Sequence, residues 1–282
     1  AVRLPKNALL AAELRLDPRL LRWLGTLDSS EKAQRDWQTF EKVSRGLLGR
    51  DLFDDVLTHV RPSLGGAVVP SENLNERSAP VEGLLAWELS VPKNAPTNAE
   101  PTAGQPTLRE SLDGALLTLL NLGAVSHNSR NPESVAVPRR SQRDDTTLRW
   151  LDGLSPYRPA FGLSSEHLLL ASDPRLVTAF WNSAPTDSLA SEPLFASVRS
   201  RHFAKHQQWL FLNCQAARKF LSEQHEPVRR QMAHWRNLED PVAGKHLDRL
   251  IELLTPFDAV FSAAKLSPGA VRCTAGFITP AP

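Results

Sequence analysis

The sequence predicts an α+β protein built on one long, twisted antiparallel sheet, with helices packed mainly on one face. Three observations lead to this class. Segments of alternating polarity, typical of half-buried strands, lie near both ends of the chain. Strand patterns follow one another across short turns, which implies antiparallel hairpins. Strand patterns also run twice into Asp-Pro-Arg-Leu and then into a helical stripe of apolar residues.

The strand-to-helix unit is clearest in the stretch PAFGLSSEHLLLASDPRLVTAFW (159–181), and ALLAAELRLDPRLLRWL (8–24) repeats it. Asp173 and Asp17 each precede Pro, Arg and Leu. An Asp side chain can accept a hydrogen bond from a free backbone N–H at a helix start. Pro suits the first helical position because its N–H would have no partner there. We therefore interpret both Asp residues as N-caps rather than as members of a charged site.

In the first part of the chain, Ala8–Leu16 and Val81–Val91 alternate as half-buried strands, and Leu64–Pro70 predicts a shorter strand. Apolar stripes between them predict one helix that contains Trp37 and a second that begins near Asp51.

In the middle, Lys93–Pro106 lacks apolar periodicity and predicts a mobile loop. Thr107 and Glu110 have the spacing of a capping box, so a helix should begin there. Its expected inward stripe is Leu112, Ala115, Leu116, Leu119 and Leu120. Arg139–Asp145 is expected to be a solvated hairpin tip, and Gly162 to mark a close approach of the backbone.

The last part predicts a buried strand at Trp209–Cys214, then helices, then a closing hairpin from Asp258 to Thr279. In that hairpin Val271, Cys273, Ala275 and Phe277 alternate as a core face. Cys214 and Cys273 are too few for a disulfide framework. They could pair once, but the favoured interpretation is two buried free thiols.

The order of elements predicts a single domain over residues 1–282 with a weak internal duplication. Pseudo-repeats at about 8–91 and 209–279 would flank a middle unit at 107–181.

The composition excludes some function classes. A formal net charge of +2 gives no argument for a polyanionic partner over the whole surface. No apolar run reaches the roughly 18 residues of a membrane span. The chain begins at Ala1 without a leader pattern, so we expect a removed leader or a piece of a longer protein.

Two residue groups could carry chemistry. His202 and His206 are four residues apart, which on a helix would make a possible zinc half-site, but no acidic neighbour completes a metalloprotease motif. The segment Arg199–Lys205 is basic, and Phe203 or Trp209 could stack on bases. The favoured alternative places both aromatic rings in the core, which makes nucleic acid an unlikely partner.

No nucleophile elbow, phosphate-binding loop or dinucleotide fingerprint is present. We therefore predict no catalytic, cofactor-binding or metal-binding residues and no cofactor.

Four segments resemble an uncharacterised family of exported bacterial proteins that carry a domain of unknown function. They are NALLAAELRLDPRLL, GLLGRDLFDDVLTHVRPSLGGAVVP, RPAFGLSSEHLLLASDPRLVTAF and FDAVFSAAKLSPGAVRCTAGF. The resemblance implies an extracytoplasmic location and a non-enzymatic role, and it supplies no catalytic residues.

The leading hypothesis is a non-catalytic binding or scaffold domain of a larger exported bacterial protein. Its partner would be another protein or other domains of the parent chain, bound along the sheet face that helices leave uncovered or on the Lys93–Pro106 loop. The alternatives are a metal-dependent hydrolase that uses His202 and His206, and a weak nucleic-acid binder through Arg199–Lys205.

Overall fold

The protein is organised around one antiparallel sheet of ten strands. The computed structural model describes residues 3–15, 22, 28–72, 79–89, 106–203, 206, 208–267 and 270–280. The predicted Asp17 cap and nearly all of the predicted mobile loop at 93–106 lie outside these residues.

The strands are β1 (Leu10–Arg15), β2 (Val60–Pro70), β3 (Val81–Leu89), β4 (Val137–Arg143), β5 (Thr146–Asp152), β6 (Ala160–Leu163), β7 (His167–Ala171), β8 (Gln208–Asn213), β9 (Ala259–Ser267) and β10 (Ala270–Ile278). The α-helices are α1 (Glu31–Leu48), α2 (Leu108–Arg130), α3 (Pro174–Asn182), α4 (Pro193–Val198), α5 (Cys214–Glu223), α6 (His225–Arg236) and α7 (Asp240–Leu254). Leu52–Val56 and Arg199–Phe203 are π-helical, and three short 3₁₀ turns are Leu57–His59, Pro185–Asp187 and Leu189–Ser191.

The strand order is β10-β9-β8-β1-β2-β3-β7-β6-β5-β4, and every neighbouring pair is antiparallel. The predicted α+β class with a long antiparallel sheet is confirmed. The pseudo-repeats supply two three-stranded units, β1-β2-β3 and β8-β9-β10, which meet where β1 pairs with β8. The duplication itself stays a prediction.

One face of the sheet, which we call the covered face, includes Ala11, Ala67, Leu84, Phe211 and Phe261. The strand register places these residues directly opposite one another across five strands. A core cluster forms here because α4 and the π-helical segment contribute Phe195, Val198 and Phe203. Helix α3 covers the same face farther along, where Val177 and Phe180 pack on Leu84, Ala86, Ala160 and Leu169.

Helix α2 lies on the opposite face, which we call the open face. Arg149 of β5 donates two hydrogen bonds, at 2.9 and 2.7 Å, to the carboxylate of Asp113 in α2. A Cβ atom at Gly123 of α2 would lie 3.5 Å from Leu151. These contacts place α2 over β5, and it also contacts β4 and β6. Its Leu112 packs in one cluster with Leu163 of β6 and Leu168 of β7. Helices α5, α6 and α7 form a separate cluster with Leu9 and Val81.

The predicted close approach at Gly162 is confirmed. A Cβ atom there would lie 2.3 Å from Cγ1 of Val177 and 2.8 Å from the ring of Trp181. Only glycine therefore lets β6 and α3 pack at this distance.

Two expectations about the sheet edges are wrong. Residues 139–143 are not a hairpin tip but most of edge strand β4, whose side chains are all exposed; the turn is at Asp144, which adopts a φ of 50°. The face of β10 that carries Val271, Cys273 and Phe277 is solvent-exposed, not core. Half-buried Thr274, Gly276 and Ile278 face inward instead, because the edge strand has a helical neighbour only on that side.

The two cysteine thiols differ in their exposure to solvent. Both Cys214 and Cys273 are free, but only Cys214 is buried. Burial raises the pKa of the Cys214 thiol.

Substitution of Gly162 tests the packing of α3 on the sheet. Gly162→Ala should lower the free energy of unfolding by about 1–3 kcal/mol, because the new methyl group overlaps Val177 and Trp181. Gly83→Ala is the matched control, since no atom lies within 4 Å of a Cβ atom at this other strand glycine. Urea unfolding of both variants measures the difference, and equal effects would contradict the packing described here.

Candidate binding groove

A groove of 710 Å³ lies on the open face beside α2. Its floor is low because Ala12, Gly66 and Gly83 have little or no side chain. Nothing lies within 4 Å of a Cβ atom built on Gly83. The aliphatic side chains that surround the floor are Leu10, Val68, Leu85, Leu116, Leu119, Leu120, Leu151 and Leu170. The groove therefore presents an almost wholly apolar surface.

The sheet side of the groove is exposed to solvent. The side chains of Leu85 and Leu170, opposite each other on β3 and β7, are 44% and 37% exposed. Leu14 and Leu210 continue the exposed apolar surface onto β1 and β8. The same strands bury Leu84, Leu169 and Phe211 on the covered face. The open face of these strands is thus partly uncovered: Leu85 and Leu170 are exposed, whereas Leu168 farther along packs with Leu112 of α2.

Helix α2 extends this surface. Its start is as predicted: Thr107 accepts a hydrogen bond from the N–H of Glu110, and the Glu110 carboxylate accepts from the Thr107 N–H at 2.7 Å. Leu112 and Ala115 are buried, but Leu119, which was predicted to face inward, is exposed. Leu122 and Val125 are exposed as well. Apolar side chains of α2 thus lie both on the side that packs on the sheet and on an exposed side, and the exposed ones extend the apolar surface of the groove.

A second apolar cavity, of 480 Å³, lies near the other end of the open face. Trp37 and Phe40 of α1 line one side, and Trp87 of β3 and Leu168 of β7 line the other. Trp87 shares the open face with Leu85, two residues away on the same strand. The open face thus carries two apolar cavities, and α2 lines both of them.

The two histidines of the metal hypothesis lie in different settings. The His202 ring stacks on the Phe261 ring, with centroids 4.4 Å apart. The π-helical segment ends at Phe203, so His206 is not on it, and the Nδ1 atom of His206 is buried with no hydrogen-bond partner. No group of three or more His, Cys, Asp or Glu side chains suited to a metal occurs within the described residues. The predicted arrangement on one helical face is wrong.

The aromatic residues of the nucleic-acid hypothesis are core residues. Phe203 is buried, and its ring stacks on that of Trp209 with centroids 5.3 Å apart. The Trp209 Nε1–H donates to the Glu13 carboxylate at 3.0 Å. Both rings are thus occupied within the protein, as the favoured alternative predicted, whereas Arg199 and Arg201 are exposed.

No pattern in the sequence predicted a polar cluster at the start of α3. Asp173 accepts a hydrogen bond from the Arg175 N–H at 2.9 Å, so its predicted capping role is confirmed. Its carboxylate also binds the guanidinium groups of Arg158 and Arg175. The Arg175 guanidinium also donates a hydrogen bond to the carboxylate of buried Glu82 at 2.7 Å. The same carboxylate accepts a hydrogen bond from the Ser71 hydroxyl at 2.8 Å.

The two carboxylates of this cluster titrate in opposite directions. Burial raises the pKa of Glu82, and the Ser71 hydroxyl and Arg175 only partly offset it. Burial would also raise the pKa of Asp173, but hydrogen bonds from the Arg175 N–H and from the Arg175 and Arg158 guanidinium groups outweigh it, so the pKa is lowered. Every charged group of the cluster has a partner within it. The cluster therefore joins β3, the segment before β6 and the start of α3, rather than presenting a reactive group.

These opposite shifts predict opposite pH dependences. The ionised form of Asp173 stabilises the folded state above its ordinary pKa of 3.8, and this contribution is lost as the pH falls through the lowered value. For Glu82, folding favours the protonated form, so that contribution is present below the ordinary pKa of 4.5 and is lost as the pH rises through the raised value.

Asp173→Asn should therefore lower the free energy of unfolding at pH 7 by about 2 kcal/mol, and the deficit should shrink in acid. Glu82→Gln should be less destabilising at pH 7, because the raised pKa of Glu82 means that its charge contributes less to folding than that of Asp173. Urea unfolding between pH 3 and pH 7 measures both variants. If both variants lose the same free energy of unfolding at pH 7, the pKa values of Asp173 and Glu82 are not shifted in opposite directions.

No helix among the described residues is long and apolar enough to cross a membrane. The chain matches no family model, no curated protein and no solved structure. The geometry of the groove is therefore the main basis for a functional conclusion.

Proposed function

We propose that the protein is a non-catalytic binding domain of a larger exported bacterial protein, and that its open face holds the apolar side of an amphipathic helix. This helix belongs to a partner protein or to another domain of the parent chain. The observation that carries the proposal is the continuous exposed apolar surface formed by the groove and by the outer side of α2.

The extent of the apolar surface favours a macromolecule over a small ligand. Small-molecule sites enclose most of their ligand and combine apolar walls with a few polar groups that orient it. Among the described residues that line the groove, Ser172 contributes the one side-chain hydroxyl, and Leu122 and Val125 are exposed beyond the groove. A partner that covers both the floor and α2 must be larger than a ligand that fills the groove alone.

The shape of the groove favours a helix in particular. Helices dock in apolar grooves through side chains spaced at i, i+3, i+4 and i+7. The small floor residues Ala12, Gly66 and Gly83 allow a helix to approach the sheet closely, beside α2, which is already packed on the same face. Residues 116–123 of α2 line the groove and give it a wall about 12 Å long.

The other parts of the proposal rest on different support. The exported, bacterial setting rests on the resemblance of the four strand-and-helix segments described above. The non-catalytic role is supported by the polar cluster at α3, whose charged groups are paired with one another.

Filling the groove should abolish binding without loss of folding. The probe is a fluorescent helical peptide with leucines at i, i+3, i+4 and i+7, compared with a scrambled peptide of the same composition. The protein should bind the helical peptide at least about tenfold more tightly than the scrambled one. Gly83→Leu should remove this preference, because its side chain would occupy the open space above the floor.

Gly46→Leu is the matched control, since a Cβ atom at this α1 residue also meets nothing within 4 Å and Gly46 does not line the groove. Fluorescence anisotropy measures the binding of both peptides to the unmodified protein and to the two variants. If the two peptides bind equally, or if Gly83→Leu binds as well as Gly46→Leu, the groove does not hold a helix. Binding of a fatty acid in place of the peptide would assign the groove to a small apolar ligand and overturn the proposal.

A further inference from the structure

The two edges of the sheet have opposite chemistry. Edge strand β4 carries Pro138, Arg139, Arg140 and Arg143, and all seven of its residues are exposed. Charged residues and proline on an edge strand hinder pairing with another chain. Edge strand β10, at the other end, contains Arg272 as its one charged residue in nine. The β10 edge therefore lacks the protection that β4 has.

Strand β10 also exposes large apolar side chains. Val271 is 64% exposed and Phe277 is 63% exposed, and Cys273 between them is exposed too. These residues lie on the open face, where Phe277 is opposite Val260 of β9. In the described part of the chain no strand pairs with the outer side of β10. Its outward N–H and C=O groups offer a template for pairing with another strand.

We infer that β10 pairs antiparallel with β10 of a second copy of this chain and joins two sheets into one. The strand has nine residues, so full overlap under twofold symmetry has its centre at Thr274. This register puts Val271 opposite Phe277 twice, a favourable pair of a β-branched and an aromatic side chain. It also puts Arg272 opposite Gly276, so that the two arginines do not face each other.

The self-complementarity of β10 favours a second copy over an unrelated strand. In this register Val271 and Phe277 of the same strand lie opposite each other, and Cys273 lies opposite Ala275 without steric conflict. The same symmetric overlap of β4 would place Arg140 directly opposite Arg140, because that residue is the centre of its seven. Like charges directly opposite are destabilising in a sheet.

The register gives a crosslinking test on the full chain. In a Cys273→Ser background, Thr274→Cys would face itself across the twofold axis at a Cα separation of about 4.5–5.5 Å, which a disulfide can span. Arg272→Cys is the control, because its two copies would lie roughly 13 Å apart along the strands. Mild oxidation should yield covalent dimer from Thr274→Cys only. Equal crosslinking of both variants, or none from Thr274→Cys, would overturn this register.

Sedimentation equilibrium provides the independent measurement. The unmodified chain should be a dimer at high micromolar concentration, and Val271→Lys should weaken dimerisation by about tenfold or more, because both Val271–Phe277 pairs are lost. Val137→Lys makes the same change on the β4 edge and should leave the dimer intact. A monomeric wild-type chain, or an equal effect of both lysines, would overturn the inference. Neither result bears on the groove, whose floor residues are not in β10.

Discussion

The pairing of β1 with β8 is the constraint on which the structure depends. It joins strands almost 200 residues apart in the sequence, with Leu10 opposite Leu212 and Glu13 opposite Trp209. It also brings the small side chains of Ala11 and Ala67 beside the large ring of Phe211. Phe195 of α4 then packs at 5.1 Å from both Phe211 and Trp209. The small residues of β1 and β2 make room for the aromatic cluster that forms beside them on β8.

The second long-range constraint is the charged cluster at α3. Asp173 caps the helix locally, but Arg158 and Arg175 extend the cluster to Glu82 of β3, 93 residues before Arg175. A buried carboxylate is stable only with partners, and here each partner comes from a different element. The cluster therefore fixes where α3 begins and, through Gly162, which strand it covers. The covered face is closely packed for this reason.

The sequence was sufficient for features that depend on neighbouring residues. The Asp173 cap, the Thr107–Glu110 capping box, the alternation of the strands and the close approach at Gly162 are all local patterns, and the structure confirms them. It was insufficient where the answer depends on distant elements. Val271 and Phe277 alternate like core residues, but their strand lies at the edge of the sheet. The partners of Glu82 could not be predicted, because no periodicity records an ion pair between residues so far apart.

The groove shows the same limit. Leu84 and Leu85 are adjacent and identical in type, yet one is buried and the other is half exposed. The reason is that Val177 and Phe180 of α3 pack on Leu84, whereas Leu85 faces the groove. The sequence predicted that one face of the sheet would be left uncovered. It did not indicate that α2 would lie on that face, beside the groove, with Leu119 and Leu122 exposed. That information lies in the tertiary arrangement.

The arginines of β4 have a consequence for the size of any assembly. A sheet with two open edges can add copies at both ends and grow into a fibre, as happens when contacts do not close on themselves. Arg139, Arg140 and Arg143 repel further strands at one end of this sheet. Growth through strand pairing is thus limited to a closed pair, and a protein with so long a sheet is protected from polymerisation by three charges on one strand.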